Sequence, residues 1–225
     1  MTSKKKGSGV RGLTVKVKTA KKRSKSSAEW LRRQLNDPYV VQARMEGYRS
    51  RAAFKLIELD EKFGLLHAGD RVVDLGAAPG GWAQVAVAKV GAKGKVVGCD
   101  LLEVGAIPGA TIVVLDFTAD EAPQAVKDLL AGKAQLVMSD MAANTTGHTP
   151  TDHLRIMHLA ELAYEFAREV LAPGGAFVCK VLKGGTEREL LKKLQRDFTM
   201  VKHAKPAASR ADSAESYVVA KGFRG

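Results

Sequence analysis

Arg71-Val72-Val73-Asp74-Leu75-Gly76-Ala77-Ala78-Pro79-Gly80-Gly81-Trp82 decides the fold of this chain. The first five residues form an apolar, β-branched run suited to a buried strand. The next six hold three glycines and a proline, which make a sharp turn, and Gly81-Trp82 opens a helix. Strand, glycine-rich turn and helix together form the nucleotide-binding corner of an open α/β sheet. Glycine suits the turn because the backbone bends sharply there and a ligand must come close to it. The stretch departs from the dinucleotide pattern G-x-G-x-x-G, since Ala78 stands at the second glycine. An ordinary tight corner with no ligand would look the same, so the flanking sequence has to decide.

Downstream, strands alternate with helices. Strands are predicted over 95–100, 111–115, 135–139, 176–182, 199–203 and 216–222, with helices over 81–91, 120–131, 152–171 and 186–196. The helix from Asp152 carries Leu159, Leu162, Ala163, Phe166 and Val170 on one stripe and stops at Pro173-Gly174-Gly175. Runs such as Gln135-Leu136-Val137-Met138 suit strands covered on both faces. The fold class is therefore α/β, a mostly parallel, doubly wound sheet with helices on both faces. The last two strands lack a long helix between them, which makes one of them antiparallel. Upstream, Ser26-Ser27-Ala28-Glu29 has capping-box spacing, Asp37-Pro38 starts a second helix that ends at Gly47, and a third helix over 50–63 buries Phe54, Leu56, Ile57 and Leu59.

Residues 1–35 carry twelve Lys/Arg and one acid, so nearly all of the net charge of +12 sits there. Residues 1–25 read as a disordered basic arm and 26–225 as one domain. A polycation without a core suits a polyanion, and nucleic acid first. No apolar run reaches the roughly 18 residues of a membrane span, and no apolar segment follows the basic start as in a signal peptide. Cys99 and Cys179 lie in apolar runs, as buried thiols in a reducing cytosol would. A cytoplasmic chain without membrane contact is expected. The histidines do not predict a metal site: His148, His153 and His158 are spaced by five, which stacks no two imidazoles on one helix face.

Asp74, Asp100, Asp116 and Asp140 each end a predicted strand. Ligands of open α/β sheets bind beyond the carboxyl ends of the strands, so the four acids should rim one crevice. Asp100, 26 residues after Asp74, suits ribose hydroxyls, and Asp116 suits the edge of an adenine. Trp82 either walls the pocket or packs in the core. The missing glycine disfavours NAD, and no G-x-x-x-x-G-K-[ST] loop favours ATP. S-adenosylmethionine (SAM) needs no phosphate cradle, so a methyltransferase leads. Ser139-Asp140-Met141-Ala142-Ala143-Asn144 offers neither the cysteine of C5 methylation nor the Pro-Pro-aromatic loop of amino methylation. Nearby stands Lys180, a lysine inside an apolar strand, which is rare unless paired. A lysine held between burial and a carboxylate can serve as the base that a ribose 2′-hydroxyl needs.

The chain resembles the FtsJ/RrmJ-type 2′-O-ribose RNA methyltransferases, the bacterial 23S rRNA uridine enzymes. The likeness runs from about Ser27 to Phe223 and rests on Tyr48 through Leu56, Val73 through Trp82, Cys99 through Leu102, Ser139-Asp140-Met141, Leu171 through Gly175, and Lys205-Pro206 through Tyr217. It implies a Rossmann-like sheet of seven strands with the last antiparallel, and a Lys-Asp-Lys-Glu tetrad at Lys55, Asp140, Lys180 and Glu215. It also implies SAM contacts at Gly80, Trp82, Asp100, Asp116 and Asp140, no metal, and 23S rRNA of the large subunit as substrate, with the enzyme acting as a monomer. The family's Asp-Met-Ala-Pro-Asn loop departs here, where Ala143 replaces proline. Arg49, Arg51 and Arg210 neighbour tetrad members and are the expected RNA contacts, with Lys192, Lys193, Arg196, Lys202 and Lys205 as further candidates. A tRNA substrate, as in eukaryotic relatives, and an inactive ribosome-assembly protein on the same fold are the alternatives.

Overall fold

The computed structural model describes residues 19, 24, 27–28, 31–32, 35–143, 147–182, 188–210 and 213–225. Nearly all of the basic arm lies outside the described residues. Of the helix expected after Ser26, residues 27–28, 31–32 and 35 are helical and the others also lie outside.

Local chemistry sets the first helices. Asp37 caps α1 (Pro38–Met45) by accepting the Tyr39 N–H at 3.0 Å, and Pro38 sits in the first turn, where a missing N–H costs nothing. Gly64 ends α2 (Ala52–Phe63) in the left-handed region, returning its N–H to Asp60. Thereafter come β1 (Arg71–Leu75), α3 (Gly81–Val90), β2 (Lys95–Asp100), β3 (Ala110–Val114), α4 (Ala122–Leu130) and β4 (Ala134–Ser139). The chain closes with α5 (Thr149–Val170), β5 (Leu171–Leu182), α6 (Arg188–Asp197), β6 (Phe198–Ala204) and β7 (Glu215–Phe223).

The seven strands form one sheet in the order β3-β2-β1-β4-β5-β7-β6. The first five are parallel, and β7 runs antiparallel to both β5 and β6, as expected of the last strand. Strand order reverses between β1 and β4, which opens a crevice beyond their carboxyl ends. Alternation of side chains then sorts the core. Val73, Leu75, Val97, Val137, Phe177 and Val218 face α4, α5 and α6. Val72, Val96, Leu136, Met138, Val178, Tyr217 and Val219 face α2 and α3. No helix among the described residues is long and apolar enough to cross a membrane.

Two boundaries differ from the sequence reading by more than two residues. Helix α5 starts at Thr149 rather than Asp152, because His148 takes the extended N-cap position and a proline fills the first turn. Strand β5 starts at Leu171, not 176: Leu171 already pairs with Ala134, and Pro173-Gly174-Gly175 are absorbed where the register shifts before Leu136 meets Ala176. On α5, Ile156, Met157, Ala160, Tyr164 and Ala167 are buried along with Ala163, Phe166 and Val170, while Leu159 and Leu162 are half-buried.

Candidate active site

The glycine-rich corner is built by close approach. Gly76 has φ +81, and a Cβ there would lie 2.8 Å from the Met141 backbone. The β1 turn and the loop after β4 thus touch through a hydrogen atom only. Gly80, at φ +109, stops α3 from extending backward, and its missing Cβ leaves room for Ile107 Cδ1, which a methyl would meet at 2.6 Å. The N–H groups of Gly76 and Ala77 both donate to the Cys99 carbonyl, at 2.9 and 3.1 Å, fastening the turn to β2.

Beyond the strand ends lies a cavity of about 470 Å³, within the roughly 300–1,000 Å³ of small-molecule sites. Gly76 and Ala78 form its floor on the β1 side, with Asp100, Leu101 and Leu102 after β2, Leu115 through Thr118 after β3, and Asp140 through Ala143 after β4. Asp100 is held by two backbone donors, Ala78 N–H on Oδ2 and Leu102 N–H on Oδ1, both at 2.9 Å. Each oxygen keeps a second lone pair for a hydroxyl. Asp116 accepts both the hydroxyl and the N–H of Thr118, which hold its carboxyl below the usual range.

Against this cavity stands a network of charged groups. Asp140 follows β4, and its N–H donates to Leu75 O at 3.1 Å, so the turn is anchored across β1. Lys180 Nζ lies 3.1 Å from Asp140 Oδ1 and also donates to the Asp140 carbonyl. Tyr217, the register partner of Lys180, donates its hydroxyl to the same Oδ1 at 2.8 Å. Lys55 Nζ, from α2, donates to the Tyr217 hydroxyl at 3.1 Å and lies 2.6 Å from Glu215 Oε1. Glu215 also accepts Ser209 Oγ at 3.0 Å. Period-two alternation explains the convergence: Lys180, Glu215 and Tyr217 all point to the α2 side, as do Val178 and Val219. Burial pushes the Asp140 carboxyl up, but the Lys180 and Lys55 ammonium groups and the Tyr217 hydroxyl overcome it and hold it below the usual carboxylate range. Burial, then Asp140 and Glu215, drive the Tyr217 phenol well above its ordinary value, so it stays a neutral donor.

A glycine corner, an acid-lined cavity and a buried lysine–carboxylate pair are what a methyltransferase of the expected kind would need. The FtsJ-like methyltransferase family model matches residues 48–223, well over half of the chain. The chain belongs to the FtsJ-like methyltransferase family. It is 61% identical over 227 residues to ribosomal RNA large subunit methyltransferase E of Parvibaculum lavamentivorans, covering 96% of this chain and 89% of that one. It is 64% identical over 222 residues to the protein of the same name from Paramagnetospirillum magneticum, covering 96% and 91%. A crystal structure from Plasmodium falciparum described as a ribosomal RNA methyltransferase superposes with a TM-score of 0.71 at 31% identity, over 79% of this chain and all of that one. The matched residues of this FtsJ-like chain include the whole Lys55–Asp140–Lys180–Glu215 network.

Several expected residues stand elsewhere. Asp74 is not on the cavity rim. Asp74 is the next-to-last residue of β1 and sits within the sheet between Gly98 and Met138, fully buried, with no hydrogen-bond partner among the described residues for either oxygen. Burial first, then repulsion from Asp140 and Asp100, pushes its carboxyl up to about 8. The one opposing influence, the Ala83 N–H, falls outside hydrogen-bond geometry. The Trp82 ring does not wall the cavity: it packs on Tyr217 and donates its indole N–H to Ala52 O at 2.8 Å. The side of Gly80 faces Ile107 and Arg49.

Arg49 and Arg51 direct their guanidinium groups at their own chain. The Arg51 guanidinium pairs with Asp37 and donates to Ala208 O, which ties α2 to the loop before β7. Arg49 donates to Pro79, Gly105 and Ala106 carbonyls. Arg210 lies in that same loop before β7, its carbonyl accepting the Ser213 N–H. Lys192, Lys193 and Arg196 are each paired with an acid: Glu189, Glu165 and Asp197. Three functional candidates escaped the sequence. Tyr217 joins the two halves of the network, and the signal for it was its alternate-residue spacing from Glu215. Arg155 and His158 reach the cavity from α5, where their three-residue spacing on the helix put them on one face.

Proposed function

We propose that this chain transfers a methyl group from SAM to the ribose 2′-hydroxyl of a uridine in the 23S rRNA of the large ribosomal subunit, with Lys180 as general base. The observation that carries the reading is the Lys180–Asp140 pair, 3.1 Å apart, whose carboxylate residue lines the cavity. The residues present fit the donor: Gly76 and Ala78 allow close approach, Asp100 suits ribose hydroxyls, Asp116 suits an adenine edge, and Leu101, Leu102, Leu115 and Phe117 suit its ring. The first N–H groups of α3, that of Trp82 among them, suit an amino-acid carboxylate, with Gly80 capping the helix start. When bound, SAM supplies a methyl group on a positively charged sulfur, which is already activated.

The chain's own part is alignment and proton transfer. Lys180 takes the proton from the ribose hydroxyl as that oxygen accepts the methyl group. Asp140 holds Lys180 in place and keeps a negative charge facing the cavity. Lys55, paired with Glu215 and bonded to Tyr217, positions the ribose. The basic arm, Lys202 and the loop carrying Lys205 and Arg210 grip phosphates, so affinity for RNA falls steeply with salt. The relatives' names support rRNA as substrate, and the work is done in the cytoplasm.

The test offers large subunits, naked rRNA and tRNA with methyl-labelled SAM and maps the modified nucleotide. Label on the ribose of a 23S uridine is expected. Label on tRNA alone would replace the substrate, and label on no RNA would favour a ribosome-assembly protein without catalysis.

A further inference from the structure

Arg49 sits in the turn between α1 and α2, six residues before Lys55. It is exposed, yet its guanidinium is fully directed at its own chain. Nη1 donates to Gly105 O and Nη2 to Ala106 O, each at 2.6 Å, and Nη1 also reaches Pro79 O at 3.3 Å. No carboxylate among the described residues pairs with it, so a full positive charge rests on three neutral carbonyls. Its backbone is fixed as well: Gln84 of α3 accepts the Arg49 N–H at 2.8 Å and donates to Gly47 O at 3.0 Å.

The three carbonyls belong to two separate segments. Pro79 lies in the glycine-rich turn. Gly105 and Ala106 lie in the β2–β3 loop, just after Asp100, Leu101 and Leu102 of the cavity wall. Both segments are glycine-lined toward the guanidinium: a Cβ on Gly80 would sit 3.1 Å from Nη1, and one on Gly105 3.7 Å from Nη2. A planar fork meets two successive carbonyls and a third beside them; a lysine ammonium on its flexible stem cannot hold all three.

We infer that Arg49 is a positioning residue of the cofactor pocket: its fork clamps the β2–β3 loop onto the glycine-rich turn and so sets the affinity for the methyl donor, rather than gripping RNA. The inference rests on the proposed reading of the cavity as the SAM site. Asp100 stays tied to the turn through the Ala78 N–H, but loss of the clamp frees the β2–β3 loop beyond it and loosens the wall formed by Leu101 and Leu102, which weakens ground-state binding and leaves the Lys180–Asp140 pair intact.

The experiment measures SAM binding by calorimetry, RNA binding against salt, and steady-state kinetics for the full-length protein and for Arg49→Lys. Lysine keeps the charge but not the fork, so it separates the two roles. SAM affinity should fall at least tenfold, KM for SAM should rise with it, kcat at saturating SAM should change less than twofold, and RNA affinity and its salt slope should hold. Gln84→Ala, which frees the Arg49 backbone, should shift SAM affinity in the same direction and carries the test if Arg49→Lys does not fold. Unchanged SAM affinity in the variants, or a loss confined to RNA binding, overturns the inference. Failure of the wild-type protein to bind SAM would instead overturn the reading of the cavity.

Discussion

Lys180 and Tyr217, register partners in antiparallel β5 and β7, meet on one oxygen: Asp140 Oδ1 lies 3.1 Å from the Lys180 ammonium and 2.8 Å from the Tyr217 hydroxyl. The hydroxyl in turn accepts from Lys55, so the two lysines of the network are joined through the Tyr217 hydroxyl and the Asp140 carboxylate. Position, rather than charge alone, is what the sheet register supplies here.

Tyr217→Phe removes that link while keeping the ring on Trp82. A hydrogen bond to a charged group contributes roughly 1.5–3 kcal/mol. Methyl transfer should therefore fall by about 10- to 100-fold, with SAM affinity near wild type. Single-turnover kinetics and calorimetry check both halves. Full activity in this variant would show that the hydroxyl does not help hold Asp140 and Lys55.

Asp74 should make the fold sensitive to alkaline pH. Its folded pKa, about 8, lies above the ordinary 3.8, so the folded state holds a proton that the unfolded state releases between those values. The stability this proton supplies is present below the unfolded pKa and declines as pH rises, by at most roughly 1.4 kcal/mol per unit, levelling off above the folded pKa. Asp74→Asn should flatten this dependence, read from urea unfolding between pH 5 and pH 9. An equal slope in both proteins would mean that Asp74 is not the group responsible.

The two thiols should be silent in the native state. Burial pushes both Cys99 and Cys179 up to about 12, and both are about 1% exposed. A thiol reagent at pH 8 should find neither until denaturant is added, and then find two. Rapid labelling of the native protein would contradict their burial.

Much of the fold was legible because strand and helix periods are local properties. Val72-Val73 and Val96-Val97 are buried on both faces whatever their neighbours, and β1 and β2 were placed to the residue. Asp74 misled because it stands one residue before the end of β1, inside the ladder between Gly98 and Met138, whereas Asp140 follows the last residue of β4. Arg49 and Arg51 misled for a related reason: a basic residue in sequence looks the same whether it meets phosphate or a carbonyl on a loop dozens of residues away. Asp140 and Lys180 were legible as a strand-end acid and a lysine inside an apolar run, while Lys55 and Glu215 came from family likeness. What that likeness left unread was Tyr217, whose importance appears only when β5 and β7 are laid side by side.

On the proposed mechanism Lys180 accepts the ribose proton. The most direct measurement compares wild type and Lys180→Ala for calorimetric SAM binding and for label transferred to the 2′-oxygen of a 23S uridine. SAM binding near wild type with transfer reduced to background is the predicted result. Transfer at the wild-type rate would contradict it.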